Sequence, residues 1–124
     1  MRCVGGAVAG IRSPTSAPIP LPELTLIASE GEIDAASVGA FRNALSEAAA
    51  AGADRLVIDL SDVSFIDSTG LGALLDVHNR LRRDNRQLIV VAPSGSAAAV
   101  LVELAGLRGR LAIFETREHA TATH

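Results

Sequence analysis

Apolar residues fall into two spacings that alternate along the chain. Leu24-Thr25-Leu26-Ile27-Ala28, Arg55-Leu56-Val57-Ile58-Asp59-Leu60 and Gln87-Leu88-Ile89-Val90-Val91-Ala92 are short, nearly continuous apolar runs. Runs of this length lying between helices read as buried parallel strands. Between them the spacing widens to three or four. It takes in Val38, Phe41, Leu45 and Ala48 or Ala49, then Leu71, Leu74, Leu75, His78 and Leu81, then Ala97, Leu101, Leu104 and Ala105. That is the period of one helical face. The first strand is expected to reach about Ile33, with Asp34 as N-cap of the first helix and Gly52 at its end. Ser61–Asp67 reads as a loop. Arg80, Arg82, Arg83 and Arg86 suit the negative end of the second helix. Pro93 stops the next strand, Ser94 or Ser96 caps the third helix, Gly106 ends it, and Leu111–Phe114 is a last short strand. The pattern predicts an α/β domain with a mixed, mostly parallel sheet, right-handed crossovers and helices packed on it. There is no internal repeat.

The ends break the pattern. Pro14, Pro18, Pro20 and Pro22 exclude a helix or a central strand, so residues 1–22 read as a proline-rich tail with an edge strand near Ala7–Arg12. The domain is expected over 23–116, followed by a polar, frayed tail at 117–124. A chain of 124 residues fits one small domain.

Composition narrows the chemistry. The formal net charge is −3, with no basic surplus for a phosphate backbone, so direct nucleic-acid binding is not expected. All eleven basic residues are Arg, which removes Schiff-base and P-loop lysine chemistry. Phe41, Phe65 and Phe114 are the whole aromatic complement, too few for a base-stacking platform. Cys3 stands alone, which excludes an internal disulfide and a thiolate cluster. No apolar run has bilayer length, so no membrane insertion is expected. Gly5, Gly6 and Gly10 weaken Met1–Ile11 as a signal segment, and the expected compartment is the cytoplasm.

The densest chemistry lies in Phe65-Ile66-Asp67-Ser68-Thr69-Gly70-Leu71-Gly72, where a buried run meets a helix. Two hydroxyls stand at the first helical turn, whose free N–H groups and positive dipole end favour an anion. A phosphoryl group on Ser68 would be held there by its own helix, beside Asp67, and would change the surface charge. Gly70 and Gly72 each cost about 1 kcal/mol relative to Ala in a helix, so a close approach is implied. The alternative is that Ser68 is an ordinary N-cap and the glycines serve packing. Other candidates read more simply. His78 shares a stripe with leucines and lies roughly 15 Å along the helix from Ser68, too far for a Ser–His pair. Asp59, Asp62 and Asp67 could gather Mg²⁺ but are more commonly solvated acids and caps. The Arg80–Arg86 cluster reads as a solvated helix end.

Gly31-Glu32-Ile33-Asp34-Ala35 resembles the G-E-[LI]-D signature of STAS domains. Leu56–Gly72, containing Asp67-Ser68-Thr69-Gly70-Leu71-Gly72, resembles their central strand and phosphorylation loop, and Ala105-Gly106-Leu107 their "GL" after the third helix. The resemblance covers about Leu24–Glu115 and is greatest to bacterial anti-sigma factor antagonists. It implies a STAS fold and a non-enzymatic protein that needs no cofactor. Such a protein binds an anti-sigma factor, a GHKL-type serine kinase, and so releases a sigma factor. Ser68 matches the serine that the kinase phosphorylates and a PP2C-type phosphatase restores. Thr69 fills the second hydroxyl position, and Asp34, Asp67, Gly70 and Gly72 fall at the partner surface. Two other uses remain open: a STAS subunit of a lipid-transport or stressosome-like assembly, and a nucleotide-sensing module. The proline-rich stretch and the polar C-terminus depart from the family pattern.

Overall fold

A computed structural model of the protein describes residues 2–9 and 24–122. The elements in chain order are β1 (Arg2–Ala9), β2 (Leu24–Ile33), α1 (Val38–Ala50), β3 (Arg55–Ile66), α2 (Ser68–Arg83), β4 (Gln87–Val91), α3 (Ala97–Leu104), β5 (Ala112–Phe114) and α4 (Arg117–Ala122). The strands form one five-stranded sheet in the order β1-β2-β3-β4-β5. β1 is antiparallel to β2; the other neighbours are parallel. The α/β class and the mostly parallel sheet are therefore as expected.

The two faces of the sheet are covered unequally. Phe41 and Leu45 of α1, Leu74 and Leu81 of α2, and Ala98, Ala99 and Val102 of α3 pack on Ile27, Leu56, Ile58, Leu60, Leu88 and Val90. Burying each large aliphatic side chain there contributes roughly 1.5–3 kcal/mol. The opposite face holds a smaller cluster, Leu24, Val57, Ile89 and Val91, closed by Ala120 of α4. Arg86 joins layers: its guanidinium donates to the carbonyls of Ala53 at 2.7 Å and Ala49 at 2.6 Å. It therefore caps the end of α1 and is not part of a solvated helix end, whereas Arg80, Arg82 and Arg83 are exposed.

Three boundaries differ from expectation. The edge strand expected near Ala7–Arg12 already begins at Arg2 and is described as far as Ala9, so the first residues belong to the sheet. It pairs from Arg2 with Glu30 to Ala9 with Leu24, and its register shifts between Val4 and Ala7, across Gly5 and Gly6. A β2 edge needs a ladder partner, and a glycine pair accommodates the bulge. The proline-rich segment 10–23 lies outside the described residues. Secondly, β3 runs through Ser61–Ile66, read above as a loop. Its polar residues Ser61, Asp62 and Ser64 are exposed because β4 stops opposite Asp59, so this half of β3 pairs with β2 alone. Thirdly, Arg117–Ala122 is a helix and not a frayed tail, seated by buried Ala120 and by an Arg117–Asp59 ion pair. Of the two serines expected to cap α3, Ser96 does so, its hydroxyl accepting from Ala99 N at 3.3 Å.

Candidate functional site

β2 and β3 end side by side. Ile33 pairs with Ile66, and the Asp67 amide donates to the Ile33 carbonyl at 3.1 Å. The two segments singled out in the sequence, one around Asp34 and one around Asp67, are thereby brought to the same end of the sheet. Two register shifts, each adding one residue on the β3 side between Asp59 and Asp62 and between Val63 and Phe65, let the strands finish together, and Gly31 of β2 takes φ +87°. That left-handed conformation suits a residue without Cβ.

At the first of these segments Asp34 organises a turn. Its Oδ1 accepts from the amides of Ala36 at 3.0 Å and Ser37 at 3.1 Å, while its own amide donates to Ser37 Oγ at 3.0 Å. This reciprocal pattern is a capping box. The N-cap of α1 is Ser37, three residues later than expected, because Asp34 caps the turn that leads into the helix.

At the second segment the cap is Asp67, not Ser68. Asp67 Oδ1 accepts from Thr69 N at 2.9 Å and Gly70 N at 3.3 Å, and also from the Thr69 hydroxyl. The Thr69 hydroxyl bond, joined by the Gly70 and Thr69 amides and opposed by partial desolvation, holds the Asp67 carboxyl below the ordinary carboxylate range. Thr69 is thus committed to the loop. Ser68 opens the helix with an exposed side chain that takes no part in the cap. The reading of Ser68 as an ordinary N-cap is corrected. The Thr69 and Gly70 amides carry the Asp67 carboxylate.

The two glycines separate. A Cβ at Gly70 would lie 2.7 Å from Ile66 Cγ1 and 2.8 Å from Ile33 Cγ2. Gly70 is a packing residue that lets α2 start directly above the two strand ends. A Cβ at Gly72 would meet the Arg42 guanidinium Nη2 at 3.8 Å, an ordinary contact. Packing does not explain Gly72. Arg42 reaches across from α1 and pairs through Nη1 with Asp76 Oδ2 at 2.8 Å. Both partners are largely exposed, and such a pair contributes about 0.2–1 kcal/mol. Sequence reasoning missed this arginine, because nothing in the spacing relates residue 42 to residues 72 and 76. It also missed Phe65, which lies two residues before the cap and is 47% exposed.

The remaining candidates disperse. No group of three or more metal-ligating side chains occurs among the described residues, so Asp59, Asp62 and Asp67 form no metal cluster. Asp59 faces α4: burial raises its carboxyl, and the bonds from Ser61 and Arg117 outweigh this and leave it lowered. His78 is buried on α2.

The geometry is that of an α/β domain whose chemistry is concentrated in one strand-to-helix junction. The STAS domain family model matches residues 20–120, and the chain belongs to the STAS domain family. A crystal structure of an anti-sigma factor antagonist from Mycobacterium paratuberculosis superposes with a TM-score of 0.74 at 23% identity. The match covers 98% of this chain and 92% of that one. The anti-sigma factor antagonist SpoIIAA in its unphosphorylated form gives 0.62 at 22% identity, covering 81% and 86%. The Bacillus cell fate determinant SpoIIAA in the phosphorylated form gives 0.60 at 25% identity, covering 81% and 89%.

Proposed function

We propose that this protein is an anti-sigma factor antagonist whose docking surface is the junction of β3 and α2. In this reading it binds an anti-sigma factor that is also a GHKL-type serine kinase, and so releases a sigma factor. The kinase transfers a phosphoryl group from ATP to Ser68 Oγ, the hydroxyl proton leaves to a base of the kinase, and the complex weakens. A PP2C-type phosphatase restores the serine by hydrolysis. The protein supplies the acceptor and no catalytic group. Thr69, Asp34, Asp67, Gly70 and Gly72 complete or shape the docking surface.

One observation carries this reading. Of the two hydroxyls at the junction, Thr69 is bound to Asp67 while Ser68 projects from the first residue of α2 with its side chain exposed. A transferase needs access to the nucleophile, and of the two Ser68 is the exposed one, with Thr69 half-buried. A dianion at that position places like charge beside the Asp67 carboxylate on the surface a partner must cover. No helix among the described residues is long and apolar enough to cross a membrane, and the reading requires none.

The test is phosphorylation by the cognate anti-sigma kinase with ATP, mapped by mass spectrometry. Phosphate is expected on Ser68; phosphate found only elsewhere overturns the assignment. Ser68→Ala is expected to bind the anti-sigma factor as the unmodified protein does. Ser68→Glu is expected to bind about tenfold more weakly or worse, ~1.4 kcal/mol. Equal affinities would refute control by charge.

A further inference from the structure

The Thr69 and Gly70 amides at the start of α2 already carry the Asp67 carboxylate, so a phosphoryl group on Ser68 gains from a cation supplied by another element. We propose that Arg42 is that cation, and that it reaches the phosphoserine by leaving Asp76 and crossing Gly72. The proposal rests on the reading that Ser68 is the modified residue.

Ser68, Gly72 and Asp76 are spaced four apart on α2 and therefore form one stripe along it. Arg42 lies over the middle of this stripe. Its Nη1 holds Asp76 at the lower end, and its Nη2 stands 3.8 Å from where a Gly72 Cβ would be. Successive positions of the stripe are about 5–6 Å apart. Rotation of the long arginine side chain and the added length of a phosphoserine together span the one turn from Gly72 to Ser68. The missing side chain at Gly72 leaves that lane open, which gives this glycine a use that packing does not.

The exchange is favourable in direction. Asp76 is 70% exposed and Arg42 47%, so the existing pair is screened and readily broken. A phosphate offers a dianion and three acceptor oxygens to a planar fork of donors, the stronger geometry for Arg. Once across, the guanidinium lies one turn nearer the start of α2 than it does beside Asp76. Phosphorylation then does two things to the docking surface: it adds charge at Ser68 and draws the Arg42 side chain up to it.

The experiment uses the full chain with phosphoserine encoded at position 68, titrated by ³¹P NMR. A phosphoserine has an ordinary second pKa of about 6. Engagement by Arg42 is expected to place it lower in the parent protein than in Arg42→Gln by roughly 0.5 or more, about threefold in the proton equilibrium. Asp76→Asn frees Arg42 and is expected to lower it further, which keeps the proposal testable should Arg42→Gln fold poorly. Gly72→Leu, which blocks the lane, is expected to match Arg42→Gln. Identical titrations in the parent, Arg42→Gln and Asp76→Asn overturn the role of Arg42. Because the phosphoserine is encoded, that result is independent of whether a kinase modifies Ser68, which the mass-spectrometric mapping decides.

Discussion

Two glycines two residues apart on one helix have opposite reasons to be there, and substitution should separate them. Gly70→Ala forces a Cβ to within 2.7–2.8 Å of Ile66 and Ile33, atoms near their own backbones that cannot swing aside. A loss of about 1–3 kcal/mol is expected in urea unfolding. Gly72→Ala meets only an ordinary contact and gains helix propensity, so it is expected to be neutral or stabilising by up to ~1 kcal/mol. From the sequence, both glycines simply marked an unusual helix start. The difference between them is tertiary, set by two isoleucines at the ends of different strands. The same holds for the cap. Asp67 and Ser68 are both good N-cap types, and spacing alone cannot choose between neighbours. The choice is made by the Asp67 amide bonding to Ile33, which fixes where β3 stops and α2 begins.

Among elements, the strands and helices with strong periodicity were legible, while those held by one or two contacts were not. α4 is a six-residue helix with one buried residue, so its hydrophobic pattern carries almost no signal. What seats it is the Arg117 side chain on buried Asp59, 58 positions away in sequence. Arg117→Gln is expected to cost about 1–2 kcal/mol, since Asp59 keeps its Ser61 bonds, and to speed hydrogen exchange at the Ala120 amide. Arg86 likewise looked like one more cation in a cluster. Arg86→Met strips two buried-side carbonyls of their donor and is expected to destabilise by about 2 kcal/mol or more. Arg83→Met, exposed in the same cluster, should fall within ~0.5 kcal/mol in the same denaturation assay. β3 extends beyond its expected end because its two register shifts space the buried Leu60, Val63 and Ile66 three apart, which hides the period of a strand.

For the molecule as a whole, His78 sets the expected response to acid. Burial, together with the nearby charges of Arg82 and Arg110, disfavours its protonated form and lowers its pKa from the ordinary 6.5; its Nδ1 is buried without a hydrogen-bond partner. On acidification the unfolded chain takes up this proton first, so folded stability falls as the pH drops through about 6.5. His78→Leu is expected to flatten the urea midpoint between pH 5 and 7.5, a slope of roughly that window for an isolated histidine. Asp59 and Asp67 act at lower pH: their lowered carboxyls favour the fold above about 3.8 and lose that contribution below it.

The sheet has a property that bears on how the protein is made. Every strand lies beside its own predecessor in the chain, so no pairing waits for a distant segment. Such local connectivity lowers contact order and favours rapid folding. As the nascent chain leaves the ribosome, β2, α1 and β3 can dock before β4 is synthesised. The β3–α2 junction would then be assembled on a finished foundation, with the remaining strands added in turn at one growing edge.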